Sequence, residues 1–180
     1  MTKNLKYEIN IPENIECNIE GHMLKIKGPN GELIKKFAHP KIKFSLNDKK
    51  ITLECKNSTK REKTYAGTFL AHIQNMIKGV LKEFEYKLKI CSGHFPMHVS
   101  IDHDKVLIKN FLGEKVPRIA KLLPGVKASV IGDEIIVKGI SKEEVGQSAA
   151  NIEMITRITN RDRRVFQDGC HLINRAGEII

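Results

Sequence analysis

The sequence predicts an α+β protein of two similar tandem domains, each an antiparallel β-sheet packed on one α-helix. Three observations predict it. The chain matches itself at a period slightly above eighty residues, each copy places alternating apolar residues ahead of one helical pattern, and an arginine-rich segment follows the second copy. The expected boundaries are 7–82 for the first repeat, 83–156 for the second and 157–180 for the appended segment.

The repeat is read in register. Ile19-Glu20-Gly21-His22-Met23-Leu24-Lys25-Ile26-Lys27 aligns with Ile101-Asp102-His103-Asp104-Lys105-Val106-Leu107-Ile108-Lys109 at an offset of 82, which also brings Gly31-Glu32 onto Gly113-Glu114. At offset 84, Pro40, Lys43, Ser45 and Ile51-Thr52-Leu53 fall on Pro124, Lys127, Ser129 and Ile135-Ile136-Val137. At offset 79, Ala66-Gly67 and Ala71-His72-Ile73 meet Val145-Gly146 and Ala150-Asn151-Ile152. Matches in one order over two copies mark a duplication.

Each element then has its local reason. Alternation over Cys17 to Ile26 and over Val99 to Ile108 sends every second side chain to one face, as a half-buried strand requires. Gly28-Pro29-Asn30-Gly31 supplies a turn into Glu32-Leu33-Ile34-Lys35-Lys36-Phe37. Thr59-x-x-Glu62 reads as a capping box opening a helix whose apolar positions Tyr65, Phe69, Ile73, Met76, Ile77 and Val80 recur at three and four. Ser141-x-x-Glu144 opens the second helix, with Val145, Ala149, Ile152 and Ile155 on one side. Gly67 and Gly146, at equivalent places, suggest a close approach of helix to sheet.

Composition narrows the function. At 180 residues and 41% hydrophobic content, each repeat has material for a modest core. Thirty-one Lys and Arg against 21 Asp and Glu leave a net charge of +10, which favours a polyanionic partner. Aromatic content of 6% without Trp supplies few platforms for stacking many bases, so cations must carry nucleic-acid binding. No apolar run approaches the roughly 20 residues of a membrane span, and Met1 to Asn10 lacks the apolar core of a signal peptide. The expectation is a soluble intracellular protein.

Catalytic and metal readings find little support. Cys17, Cys55, Cys91 and Cys170 are scattered singly and read as reduced and structural. Cys91, His94, His98 and Cys170 beside His171 assemble a ligand set on paper, but the paired knuckles of a zinc site are missing. The glycine turns Gly28-Pro29-Asn30-Gly31 and Pro124-Gly125 do not belong to either phosphate-loop pattern. His22, His39, His72 and His103 stand in unrelated contexts. No enzyme, no metal and no cofactor are expected.

Arginine is unevenly placed. Of seven, five follow the second helix pattern: Arg157, Arg161, Arg163, Arg164 and Arg175. Guanidinium groups bind phosphate through paired donors and stack on bases, so this segment is the best candidate contact surface. Its alternative role is a solvated basic face with ion pairs to Asp162 and Asp168, while Phe166 and Leu172 pin it to the body. Lysines are spread over Lys35-Lys36, Lys41-x-Lys43, Lys49-Lys50 and Lys60-Arg61-x-Lys63. Distributed basic patches suit a protein set among folded RNA helices, which are recognised through phosphates, 2′-hydroxyls and shape.

Three motifs carry a resemblance. His72-Ile73-Gln74-Asn75-Met76-Ile77-Lys78-Gly79-Val80, Ile108-Lys109-Asn110-Phe111-Leu112-Gly113-Glu114-Lys115 and Arg161-x-x-Arg164-x-Phe166-x-Asp168-Gly169 resemble the universal large-subunit ribosomal protein six family, numbered nine in eukaryotes. The likeness runs from Ile11-Pro12-Glu13-Asn14 to Arg175, and His94-Phe95-Pro96 with Asp168-Gly169 resembles the eukaryotic cytoplasmic form. The chain departs from the family pattern at Arg163, Cys170 and His171 and lacks tryptophans near Lys56-Asn57, as a divergent, short lineage would.

The resemblance implies a two-domain structural protein of the large ribosomal subunit, bound to large-subunit rRNA near the stalk base and the factor-binding region in cytoplasmic translation. Assembly beginning in the nucleolus goes with that expectation. Arg157, Arg161, Arg164 and Arg175 carry over as RNA contacts, joined by Arg163 and His171 in the same segment and by Lys60, Arg61 and Lys63 in the first repeat. The expected partners are rRNA and neighbouring ribosomal proteins, with no membrane, no small-molecule substrate and no homo-oligomer. The competing reading is a duplicated DNA-binding saddle resembling the TATA-binding protein. It needs apolar wedges on the sheet, for which Phe95 and Phe111 are the candidates.

Overall fold

A computed structural model describes residues 3–47 and 50–179, so Met1, Thr2, Asp48, Lys49 and Ile180 lie outside the described residues. The chain divides into two compact units, Met1–Glu83 and Phe84–Ile180.

In the first unit the two stretches of sheet come from two different sequence patterns. The alternating run read as one strand is a hairpin: β2 (Glu16–Glu20) pairs antiparallel with β3 (Met23–Gly28) across a turn at Gly21, whose φ is +61°. A two-residue turn leaves the period of two unbroken across the bend, so alternation alone does not reveal it. Strand β4 (Gly31–Lys36) completes the sheet in the order β2-β3-β4. The second sheet is formed by β1 (Lys3–Asn10), β5 (Ile42–Asn47) and β6 (Lys50–Ser58), in the order β1-β6-β5.

Helix α1 (Lys60–Leu81) buries Ala66, Ile73, Met76, Ile77 and Val80, while Tyr65 stays exposed and Phe69 packs on Phe37 and Phe44. Ile26, Ile51, Leu53, Ile73 and Val80 are fully enclosed, each such side chain contributing about 1.5–3 kcal/mol. The capping box forms: the Thr59 amide donates to Glu62 Oε2 at 2.8 Å and the Thr59 hydroxyl bonds the same oxygen. At the other end Asn30 acts as a remote cap, its backbone N–H donating to Val80 O (3.2 Å) and its side chain to Leu81 O (2.9 Å).

The second unit repeats this order. Strands β7 (Phe84–Cys91), β8 (His98–Asp102), β9 (Lys105–Lys109), β10 (Arg118–Lys121), β11 (Val126–Ile131) and β12 (Glu134–Gly139) are followed by α2 (Lys142–Ile155). The β8–β9 hairpin starts 82 residues after β2–β3, and β11–β12 starts 84 residues after β5–β6, the two offsets found in the sequence. The small sheet has the order β10-β9-β8. The large sheet differs in one respect: β13 (Gly169–Arg175) pairs with β7 on the edge that β1 leaves unpaired among the described residues, and β14 (Glu178–Ile179) follows, giving β11-β12-β7-β13-β14.

Helix α2 is capped by Ser141, whose hydroxyl accepts from the Glu144 amide at 3.4 Å, and buries Val145, Ala149 and Ile152. The glycine expectation is corrected in part. Gly146 does approach the sheet, its missing Cβ lying 3.4 Å from the Tyr86 hydroxyl, but Gly67 faces open space. The tight approaches are at Gly28 and Gly139, where a Cβ would meet Val80 at 2.1 Å and Val145 at 2.8 Å. No helix of the described residues is long and apolar enough to cross a membrane.

Candidate nucleic-acid interface

The arginine-rich loop spans residues 156–168 between α2 and β13 and is held at both ends by buried polar side chains. Thr156, 3% exposed, donates its hydroxyl to Glu153 O (3.0 Å) and accepts from the Cys170 amide (3.0 Å), tying the end of α2 to the start of β13. Asp168, also 3% exposed, accepts from the Gly93 amide (3.0 Å), the His94 amide (3.1 Å) and His94 Nδ1 (2.9 Å). Burial works against its ionisation, but the bonds from His94 and Gly93 leave its pKa below the ordinary value. The His94 ring stacks on Phe166, 4.5 Å between centroids with planes 21° apart, so the β7–β8 loop and the arginine loop form one layer.

Within the loop Asp162 organises a tight turn. Its carbonyl accepts from the amides of Val165 (3.1 Å) and Phe166 (2.9 Å), and its carboxylate takes the Arg164 amide and guanidinium at 2.8–3.3 Å. The Arg164 bond holds the Asp162 pKa below its usual value. Arg164 is thus engaged locally, and Arg161 lies 4.8 Å from the Phe166 ring centre. Arg157 and Arg163 are exposed, with no side-chain hydrogen bond or ion pair among the described residues. Together with His171, whose Nε2 bonds Gln167 O at 3.1 Å, they line a groove of about 600 Å³ against Phe166, Met154 and Ile158. Arg175 is exposed on β13.

The structure therefore sorts the expected residues. It brings Arg157, Arg163 and His171 to one groove and places Arg161 and Arg164 beside it in internal contacts. Asp168 binds His94 rather than any arginine. Leu172 packs against the core of the second unit as expected, whereas Phe166 is partly buried and held to the β7–β8 loop by its stacking on His94.

Lys60, Arg61 and Lys63 belong to the first unit, exposed in the first turn of α1. Cations there oppose the helix dipole, so helix stability does not account for them. Glu62 between them turns inward to Thr59 and to Lys41 Nζ (3.2 Å), and the bonds from the Thr59 hydroxyl and amide, then Lys41, lower its pKa to about 2.

The other two motifs serve packing. Phe111 is enclosed at 1% exposure beneath the Arg118 guanidinium (4.2 Å), and Arg118 also binds Glu114 and donates to Ile155 O at 2.6 Å. A buried Phe111, with Phe95 in a loop rather than on a strand, removes both wedges of the DNA-saddle reading. Cys170 is buried in the core, its thiol pushed up by burial to about 12, and no group of three His, Cys, Asp or Glu is arranged for a metal among the described residues. Sequence reasoning missed His94 and Met154 as parts of this site. His94 lies 74 residues from Asp168, and nothing local announces that contact.

The sequence matches ribosomal protein L6 twice, over residues 11–83 and 95–169. The chain belongs to the ribosomal protein L6 family. It is 46% identical over 171 residues to the large ribosomal subunit protein uL6 of Methanobrevibacter smithii, covering 95% of this chain and 96% of the relative. It is 43% identical over 176 residues to the protein of the same name from Methanococcus vannielii, covering 98% and 97%. The two L6 matches fall one in each compact unit, which agrees with the duplicated α+β fold. A member of this ribosomal-protein family is not an enzyme, and the second L6 match ends where β13 begins, leaving His171 and Arg175 beyond it.

Proposed function

We propose that the chain is a structural constituent of the large ribosomal subunit that binds large-subunit rRNA and supports translation. The observation that carries this is the match over nearly the whole length to relatives named as large-subunit proteins. The net charge of +10 and the exposed cations of the second unit supply the polyanion-binding chemistry. In this reading residues 7–82 and 83–156 are scaffold repeats and 157–180 is the RNA-contact segment. Its contacts are Arg157, Arg161, Arg163, Arg164, His171 and Arg175, with Lys60, Arg61 and Lys63 as a second basic site.

Placement near the stalk base and factor-binding region, with rRNA and neighbouring ribosomal proteins as partners in the cytoplasm, is what the three motifs support. Assembly starting in the nucleolus goes with the eukaryotic cytoplasmic type, for which His94-Phe95-Pro96 and Asp168-Gly169 are the support. The two archaeal relatives support the family rather than that branch.

Sedimentation tests the proposal. In gradient-fractionated lysate the tagged chain should co-migrate with large subunits and leave them only at high salt. A chain that stays at the top of the gradient while subunits are intact overturns it.

A further inference from the structure

We propose that the groove between the end of α2 and the arginine loop receives a single unstacked nucleotide of the RNA, with its phosphates on Arg157 and Arg163 and its base against Met154 and Ile158, beside the Phe166 ring. This rests on the rRNA-binding reading and narrows it from a basic surface to a pocket.

Size comes first. At about 600 Å³ the groove lies within the range of small-ligand sites. That suits one nucleotide, whereas a duplex meets proteins along its backbone and shallow groove.

Charge comes second. Arg157 and Arg163 are the guanidinium groups at this groove that no ion pair or ring contact engages among the described residues, so their donors remain for phosphate. Arg164 is bound to Asp162, and Arg161 lies on Phe166. The two carboxylates of the lining are turned to the protein. Asp168 takes the Gly93 and His94 groups, and Glu153 accepts from the Leu172 amide at 3.3 Å. His171, oriented by its bond to Gln167 O, adds a further polar edge.

Shape comes third. The Phe166 ring at the groove is fixed by His94 stacked on it and by Arg161 over it, and the groove's two ends are held by the buried Thr156 and Asp168. A pocket held in place before binding spends little free energy on ordering itself. The cost of extruding a base is least where it is already unpaired, which makes a loop or bulge nucleotide the fitting occupant.

The test uses the full chain and large-subunit rRNA carrying 4-thiouridine, with affinity and mapped photo-crosslinks as readouts. Met154 is 65% exposed, so Met154→Trp fills the groove without disturbing the core or the charge. It should lower affinity about tenfold, as loss of one base contact does, and abolish a crosslink from one nucleotide to the groove. The double substitution Arg157→Ala with Arg163→Ala should lower affinity at least as much.

If Met154→Trp binds and crosslinks like the parent while the arginine pair weakens binding, the pocket is wrong and the basic interface stands. If the parent chain binds but neither variant weakens it, the groove plays no part and the proposal falls. If the parent chain does not bind rRNA at all, the proposed function itself fails.

Discussion

Replacing Asp168 by Ala tests whether the loop is a built platform or a solvated tail. The carboxylate is 3% exposed and accepts three hydrogen bonds, from the Gly93 amide, the His94 amide and His94 Nδ1, at 2.9–3.1 Å. A hydrogen bond to a charged group contributes about 1.5–3 kcal/mol, and a donor left unmade costs about 1–3 kcal/mol. Gly93 and His94 lie on an exposed loop where water replaces part of each bond, so the net loss is about 2 kcal/mol rather than the sum. For a unit of about a hundred residues this lowers the transition temperature by roughly 8–16 °C.

Calorimetry of the full chain should show the transition of the second unit falling by that amount. Asp168→Asn, which keeps one acceptor, should fall part of the way. The sign of the pH dependence follows from the lowered pKa of Asp168. Its contribution is present above the unfolded carboxyl pKa and is lost as pH falls through the folded one, so parent and variant should converge in acid. A transition within about 2 °C of the parent at neutral pH would refute the anchoring argument.

Other perturbations read other parts of the fold. Glu62 titrates near 2 in the folded chain against an ordinary 4.5, so the first unit should lose stability as pH falls through that interval, and Glu62→Gln should flatten the loss in acid titrations followed by circular dichroism. Gly28→Ala places a methyl 2.1 Å from Val80 Cγ1 and should destabilise the first unit by about 1–3 kcal/mol in urea melts, whereas Gly67→Ala, facing open space, should stabilise it by up to about 1 kcal/mol. With a pKa near 12 and no exposed surface, Cys170 should resist iodoacetamide at pH 8 until the chain is unfolded; labelling in the native state would contradict its burial. Loss of Arg157 and Arg163 together should reduce the log–log salt slope of RNA binding by about 1.5, read from binding isotherms at several salt concentrations.

Much of the scaffold was legible because its signals are local or repeated. Thr59-x-x-Glu62 and Ser141-x-x-Glu144 mark the helix starts, and the offsets of 82 and 84 recover the strand pairs. The hairpin turns at Gly21 and His103 were hidden, because a two-residue turn preserves alternation. Strand β13 was hidden for another reason. Its exposure pattern does not alternate, and it exists by pairing with β7, some eighty residues earlier. The arginine segment was found from composition, but composition weighs all guanidinium groups alike. Which of them are engaged depends on where Asp162 and Phe166 turn, and that follows from the fold.

The duplication also explains where the proposed binding element could be added without rebuilding a domain. In both units the strand that opens the repeat pairs on one side with the strand that precedes the helix, β1 with β6 and β7 with β12, and among the described residues the other side of β1 is left as a sheet edge. The first unit stops there. In the second, the chain leaving α2 returns to the corresponding side of β7 as β13, and the loop it must make on the way is the one that carries Arg157, Arg161, Arg163 and Arg164. Pairing with β7 supplies the backbone bonds that fix the loop's far end, and Thr156, bonded to the Cys170 amide, closes it at the near end. In the proposed role, Arg157 and Arg163 then meet the ligand from a backbone that is already held. Disrupting β13, by Cys170→Pro for instance, should weaken RNA binding while the first unit still melts as before. Retained RNA affinity in that variant would mean that the cations act without the edge pairing that holds them.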